Sequence, residues 1–152
     1  MFQMHNIPQN DIPPNDIPQK SERFIRGRKG EDQATASLTA SGFEIIARNF
    51  RSKFGEIDII AVEKQLQIIV FFEVKAWSVF GIENLQYSLD LRKQRKIIKT
   101  AKYFLSENRE YNKMGIRFDV IFVKDNKVFN EWQEADGYRI THLESAFTER
   151  VL

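Results

Sequence analysis

Two short segments decide the fold: Gly55-Glu56-Ile57-Asp58-Ile59-Ile60 and Ile69-Val70-Phe71-Phe72-Glu73-Val74-Lys75. Successive side chains of a strand point to opposite faces, so Glu56 and Asp58 share one face, as do Glu73 and Lys75. The second segment is an apolar run that predicts a strand in the middle of a sheet. An acid and a lysine there are costly unless they pair with each other or hold a metal. Carboxylates from two neighbouring strands plus a lysine can bind Mg²⁺ and hydrolyse a phosphodiester.

The composition is that of one ordinary globular domain. The chain has 152 residues, 42% of them hydrophobic, with 13 Phe, enough for a core. The absence of Cys excludes disulfides and thiolate metal sites, and two His are too few for a His-rich zinc site. No apolar run approaches the length of a membrane span, and the N-terminus lacks a signal-peptide pattern. These features predict a soluble, cytoplasmic protein without a membrane partner.

The N-terminal region differs in composition from the rest. Residues 6–20 form three pentapeptides that each carry an Ile-Pro pair, and they contain all four prolines of the chain. Such spacing forbids a helix and favours an extended chain with too little apolar surface for a core. We therefore predict a disordered tail over residues 1–20 and a folded domain over residues 21–152. The alternative is a docking strip that presents Ile7, Ile12 and Ile17 to a partner.

Periodicity and turn signals predict the elements of the folded domain. A helix is expected from Ser21 to about Ala40, ended by Gly42, and a second from about Leu89 to Glu107 with Ser88 as its cap. Strands are expected over 43–50, 55–62, 68–76, 117–123 and around 139–143, the first three as an antiparallel meander. Gly27 and Gly30 predict a close approach to the first helix. The order predicts an α/β protein with helices on both faces of a small mixed sheet.

Three acids are the candidate metal ligands. Glu31 shares one face of the first helix with Ala34, Thr35 and Leu38. If that helix packs over the sheet face that bears Asp58 and Glu73, three carboxylates converge on a site suited to Mg²⁺. Lys75 would face the same pocket, where it could orient the attacking water or stabilise charge on phosphorus. The alternative is a structural salt bridge of Lys75 with Glu73 or Asp58, with Glu31 only a part of the amphipathic pattern of its helix. The combined pattern favours the metal site.

The second helix supplies a candidate nucleic-acid interface. Its predicted core stripe is Leu91, Gln94, Ile98, Ala101 and Leu105. No acid lies between Leu91 and Lys102, and the predicted exposed cations are Arg92, Lys93, Arg95, Lys96, Lys99 and Lys102. Such a face can follow phosphates, although a charge run more often is only a solvated face. Elsewhere, Arg117 and Asp119 predict an ion pair on one strand face, and His142 a half-buried strand histidine without a catalytic part.

Seven short blocks occur in an order that resembles a known family. They are Gly30-Glu31-Asp32, Ala47-Arg48-Asn49-Phe50-Arg51, Gly55-Glu56-Ile57-Asp58, Phe72-Glu73-Val74-Lys75, Arg92-Lys93-Gln94-Arg95, Arg117-Phe118-Asp119-Val120 and Ala146-Phe147. The chain resembles the small bacterial YraN-type family, which is similar to the PD-(D/E)xK nuclease superfamily and in particular to the archaeal Holliday-junction resolvases. The resemblance covers about Gly27 to Phe147 and leaves out the proline-rich tail.

The resemblance implies a restriction-endonuclease-like three-layer fold and a Mg²⁺- or Mn²⁺-dependent endonuclease acting on DNA, with branched or damaged structures as candidate substrates. It implies Glu31, Asp58, Glu73 and Lys75 as catalytic residues, the three acids as metal ligands, and by analogy a homodimer. Ala76-Trp77 stands where the family often has an arginine, and Trp77 could stack on a base or simply pack. The alternatives are a non-catalytic nucleic-acid-binding module with a nuclease-like fold and, as a weaker one, a scaffold that uses the Ile-Pro tail.

Overall fold

Two helices and five strands form the part of the chain that the computed structural model describes, residues 20–77, 89–125 and 138–149. The predicted tail, the predicted cap Ser88 and the side chain of Trp77 lie outside this description. A single 3-10 turn, Arg109–Tyr111, follows the second helix. In chain order the elements are α1 (Lys20–Ala40), β1 (Glu44–Ser52), β2 (Gly55–Glu63), β3 (Ile68–Trp77), α2 (Leu91–Glu107), β4 (Gly115–Asp125) and β5 (Tyr138–Phe147).

The strands form one mixed sheet in the order β1-β2-β3-β4-β5. The predicted meander is confirmed, because β1 pairs with β2 and β2 with β3 in antiparallel register. β3 and β4 are parallel, and β5 returns antiparallel to β4. Parallel neighbours need a crossover connection, and α2 lies in the connection between β3 and β4.

The apolar run of β3 is covered on both faces. Ile69, Val70, Phe71 and Phe72 are all fully buried. α1 covers one face, where Ala34 and Leu38 pack in the cluster that contains Ile59, Val70 and Phe72. α2 covers the other, where Ile97, Ala101 and Phe104 pack in the cluster that contains Ile57, Ile60 and Phe71. The prediction of an α/β protein with helices on both faces of a mixed sheet is thereby confirmed. Within the described residues, neither helix is both long and apolar enough to cross a membrane.

α1 approaches the sheet closely through Gly30, as predicted. A Cβ atom on Gly30 would lie 2.8 Å from the Cβ of Ala76 at the end of β3. The predicted inward face is also confirmed, since Ala34 and Leu38 are buried and Glu31 is partly buried. The surroundings of Gly27 lie outside the described residues. The close contact at Gly30 brings the next residue, Glu31, toward the sheet end that carries the acids.

α2 departs from its prediction in its start and in its buried face. It begins at Leu91, because the side chain of Asp90 caps it by accepting from the Lys93 amide. The buried residues are Ile97, Thr100, Ala101 and Phe104. Of the predicted stripe, Ala101 is confirmed and Ile98 and Leu105 pack partly buried against the core, but Leu91 is 52% exposed. The helix is rotated about its axis relative to that prediction. Gln94 is a satisfied amide whose Nε2 donates to the Leu89 carbonyl.

A buried charged network joins β4 to β5. The Asp119 side chain is fully buried, and Arg117 donates to it from Nε and Nη2 over 2.9–3.1 Å. His142 Nε2 lies 2.7 Å from Asp119 Oδ2, and the Ser145 amide donates to Oδ1. Ser145 has φ 49°, in the left-handed region, opposite a register shift of the β4–β5 ladder. The predicted Arg117–Asp119 pair is confirmed, and β5 runs further than predicted because Asp119 holds its distal half.

Replacement of Asp119 by Asn should destabilise the fold at neutral pH by about 2–4 kcal/mol, because it leaves Arg117 and His142 without their buried counter-charge. Burial alone would raise the pKa of Asp119, but hydrogen bonds from His142, Arg117 and the Ser145 amide lower it. A depressed folded-state pKa gives stability that is present above the unfolded value of 3.8 and is lost as pH falls below it. Urea unfolding at pH 7 and pH 3.5 checks this, and a variant as stable as wild type at pH 7 would contradict it.

Candidate functional site

Asp58 and Glu73 meet across the β2–β3 ladder. The register pairs Ile59 with Phe72, so Asp58 and Glu73 are the next residues along the two antiparallel strands. Asp58 Oδ2 accepts a hydrogen bond of 2.7 Å from the Val74 amide, which fixes the carboxyl group beside β3. Glu73 is only 6% exposed, and its side chain forms a hydrogen bond with that of Asp58. The structure thus brings together the two acids that the sequence placed on neighbouring strands.

Two lysines converge on Glu73. Lys75, two residues further along the same strand face, has its Nζ 3.4 Å from Glu73 Oε1. Lys93 reaches the same oxygen from the first turn of α2 and forms an ion pair with it. Lys93 was predicted to lie on the exposed nucleic-acid-binding face of the helix. Its side chain is 42% exposed and is paired with Glu73, so phosphate contact by Lys93 stays a prediction. Lys93 reaches the acids because it precedes Ile97, Thr100 and Phe104 on one helical stripe.

Glu31 lies at the edge of this cluster. Its side chain is 16% exposed and interacts with Arg48, whose Nη2 is 3.9 Å from Glu31 Oε2. Burial raises the pKa of Glu31, although a hydrogen bond with Asn49 and the charge of Arg48 oppose the rise. Its negative charge contributes to the raised pKa of Asp58. Asn49 has φ 51°, a left-handed conformation in β1. Glu31 therefore acts on the cluster electrostatically while β1 side chains hold it.

The charges of the cluster are only partly compensated. Burial, and after it the charge of Glu73, raises the pKa of Asp58 from 3.8 to about 8, against the opposing effect of the Val74 amide. Burial and the neighbouring Lys93 lower the pKa of Lys75. Burial would also lower the pKa of Lys93, but its hydrogen bond to Glu73 raises it. With a pKa of about 8, the Asp58 carboxyl is mostly protonated at pH 7. Such opposed shifts in one cluster are typical of functional sites.

The donor set fits a divalent cation through two carboxylates. Mg²⁺ takes oxygen ligands, often only one or two protein carboxylates, and fills its other positions with water and phosphate oxygens. Asp58 and Glu73 supply such oxygens. Burial and, after it, the negative charge of Glu73 raise the pKa of Asp58, and a cation would offset that charge. Among residues 20–77, 89–125 and 138–149, no three His, Cys, Asp or Glu side chains are grouped so that they could hold a metal. Ligation by Glu31, Asp58 and Glu73 together stays a prediction.

The exposed face of α2 keeps most of its predicted cations. Arg92, Arg95, Lys96 and Lys99 are exposed, and none of the ion pairs between described residues involves them. Lys102, one turn further on, pairs with Glu149. Phosphate contact by Arg92, Arg95, Lys96 and Lys99 stays a prediction. Because Lys93 belongs to the same first turns, the basic face begins at the acidic cluster.

These observations define a class of protein: a small α/β domain whose central strand ends in a buried acid-and-lysine cluster, flanked by a basic helix. Within that class, the sequence pattern of the uncharacterised protein family UPF0102 matches residues 30–123, more than half of the chain. The chain belongs to this family, and its identification as a YraN-type protein is confirmed.

Relatives in distant bacteria match most of the chain. A UPF0102 protein of Treponema denticola is 43% identical over 126 residues, which cover 80% of this chain and 93% of the relative. One from Persephonella marina is 43% identical over 107 residues, 70% of this chain and 90% of the relative. One from Acinetobacter baylyi is 42% identical over 126 residues, 80% of this chain and 89% of the relative. The match thus extends over nearly the whole of each relative.

Replacement of Asp58 by Asn should stabilise the metal-free protein at pH 8 and leave its stability unchanged near pH 4. Between the unfolded value of 3.8 and the folded pKa of about 8, the folded protein keeps a proton that the unfolded chain has lost. Wild-type stability therefore falls as pH rises through this window, by up to about 1.4 kcal/mol per pH unit. Asn carries no charge and escapes this loss.

The measurement is urea unfolding in EDTA at pH 4, 6 and 8. Asp119→Asn is the matched control, because the same exchange there should destabilise the protein at neutral pH. An Asp58→Asn variant that is less stable than wild type at pH 8 would mean that Asp58 is a structural ion-pair partner.

Proposed function

We propose that this protein is a divalent-metal-dependent endonuclease that hydrolyses phosphodiester bonds in DNA, with the restriction-endonuclease-like fold of the PD-(D/E)xK superfamily. The observation that carries the proposal is that, near the end of β3, Asp58 lies beside Glu73 and Glu73 pairs with Lys75 and with Lys93 of α2. The order of elements, a helix, three antiparallel strands, a crossover helix and a parallel strand, supports it. So does the basic face of α2, which begins at the cluster.

Asp58 and Glu73 would hold the cation, with Glu31 adding negative charge from α1. The bound cation would polarise a phosphoryl oxygen and lower the pKa of a bound water. Lys75 stands beside Glu73 at 3.4 Å, and burial and Lys93 lower its pKa. A lysine in that state can accept or return a proton more readily than a free lysine and still stabilise charge that develops on phosphorus. Lys75 lies on the same strand face as Glu73 and therefore beside the proposed cation.

Lys93 acts as a positioning residue. It shares Glu73 with Lys75 and belongs to the first turn of α2, so it fixes the distance between the basic helix and the acids. Its positive charge is paired with Glu73 beside Asp58. DNA bound along the exposed cations of α2 would thereby be placed with its phosphates at the cluster.

A second candidate function is a nucleic-acid-binding module that keeps this fold without turnover. One observation favours it: two lysines neutralise Glu73, and the described residues contain no group of three metal-ligating side chains. A module of this kind would bind DNA through α2 and have no use for a metal at Asp58.

Cleavage separates the two functions. Labelled linear, nicked, flapped and four-way DNA is incubated with the full chain in Mg²⁺, in Mn²⁺ and in EDTA. The endonuclease requires metal-dependent cleavage of at least one structure, and Asp58→Asn should abolish both the cleavage and calorimetric Mn²⁺ binding. Lys75→Ala should lower the single-turnover rate by about 10²-fold or more and leave DNA affinity near wild type, because its charge acts in the transition state. Binding of DNA without cleavage of any structure would favour the module.

Lys93 and Lys99 should respond differently to the same exchange. Lys99→Ala removes an exposed cation, so the slope of log affinity against log salt should fall in magnitude by about 0.9 per lost phosphate contact. Lys93→Ala should leave that slope near wild type, since Lys93 already neutralises Glu73, and should change the metal affinity and the cleavage rate instead. Affinity is measured by fluorescence anisotropy on duplex DNA at several salt concentrations. Equal changes of slope in both variants would mean that Lys93 contacts phosphate as Lys99 does, and would contradict its positioning role.

A further inference from the structure

Two aromatic rings are exposed side by side where the β1–β2 hairpin meets α2. Phe54 is 37% exposed and Tyr103 is 38% exposed, and their ring centroids lie 6.1 Å apart. Phe50 stacks against Tyr103 at 6.3 Å and packs edge-on against the buried Phe104 at 5.1 Å. The rings of Phe54 and Tyr103, here called the aromatic platform, therefore rest on the core.

The hairpin beneath the platform is held tightly against the helix. Gly55 has φ 153°, and a Cβ atom there would lie 3.2 Å from Thr100 Oγ1 and 3.4 Å from the Cβ of Lys96. The Phe54 amide donates to Ser52 Oγ over 3.1 Å, which closes the turn. A preformed surface of this kind loses little conformational entropy when a ligand covers it.

The charge around the platform is positive. Lys53 Nζ lies 5.1 Å from the centre of the Phe54 ring, and the exposed Lys96 and Lys99 lie on the adjoining turns of α2. α2 carries no acid before its last residue, and Glu56 of the hairpin is paired with Arg51. These lysines form no ion pair with another residue that the structure describes. Rings interleaved with such cations fit a polyanion that also offers flat faces, which is the chemistry of a nucleic-acid strand with unstacked bases.

We propose that Phe54 and Tyr103 form a stacking site for an unpaired base, and that the DNA substrate carries a single-stranded segment beside the cleavage point. The proposal rests on the proposed nuclease function. Asp58 follows Phe54 by four residues, about 13 Å along β2. Tyr103 follows Lys93 by ten residues, about 15 Å along α2. Each path equals about four rises of 3.4 Å along one strand of duplex DNA, so an unstacked strand spans it in fewer nucleotides. Lys96 lies between Tyr103 and Lys93 along α2. A fully paired duplex hides its base faces and cannot use the platform.

The test measures anisotropy of the full chain with a labelled single strand and with a blunt duplex of the same length and label. Phe54→Leu and Tyr103→Leu keep apolar side chains but remove the ring, and both positions are exposed enough for the fold to tolerate them. Affinity for the single strand should fall about 5- to 100-fold in each, with affinity for the duplex unchanged. Tyr103→Phe keeps the ring and should bind as wild type. Leu66→Ala, at the exposed turn between β2 and β3, is the control for loss of an exposed apolar side chain.

The fluorescence of Phe54→Trp should be quenched by oligo(dT) beyond any change in wild type.

Four results would overturn the proposal. Unchanged single-strand affinity in the leucine variants, with duplex binding intact, would refute the platform alone and spare the proposed function. Equal loss for single strand and duplex would mean that the rings only support the basic face. A wild-type dimer that the leucine variants dissociate, with single-strand binding retained, would assign the rings to self-association. A wild-type chain that binds neither DNA would refute the platform and the proposed function together.

Discussion

The structure depends on how β3 ends. Its apolar residues are buried by α1 on one face and by α2 on the other, so the strand enters the acidic part of its sequence while still inside the protein. Glu73 is therefore only 6% exposed, and its charge has to be met locally. Lys75 can meet it from the same strand face, Lys93 only if α2 crosses the sheet at the observed rotation. The rotation of α2 on the sheet therefore also determines whether Lys93 belongs to the site.

The two aspartates Asp119 and Asp58 have opposite pKa shifts because their surroundings differ. Asp119 receives hydrogen bonds from Arg117, His142 and a backbone amide, and its pKa lies below the usual value. Asp58 receives one backbone hydrogen bond and faces the charge of Glu73, and its pKa rises to about 8. The first carboxylate is matched by donors that the fold itself supplies. The second keeps an electrostatic cost that the fold does not remove, which is what a group held ready for a ligand shows.

Much of the fold follows from the sequence. Alternation and turn residues predict β2 and β3 within one or two residues, and the inward face of α1 is predicted because Ala34 and Leu38 are its clear apolar positions. α2 is different, because its apolar residues allow two stripes: one through Ile98 and Leu105, and one through Ile97 and Phe104. Periodicity does not choose between them. The second stripe places Lys93 beside Glu73, and that ion pair appears only once the strand and the helix are in contact. The contact of Asp58 with Glu73 follows from strand order, whereas Lys93 and the aromatic platform required the three-dimensional arrangement.

The rotation of α2 places its contact with Glu73 and its exposed aromatic and basic surface on one rigid element. Ile97 and Phe104 fix the helix on the sheet, Lys93 at its start holds Glu73, and Tyr103 near its end meets the hairpin. Because these side chains project from one rigid helix, a displacement that loosened the contact with Glu73 would also move the aromatic and basic surface. The helix thus fixes the distance between the acids and the exposed aromatic and basic surface. Because α2 packs against β2 in the core, motion of the loops does not alter this distance.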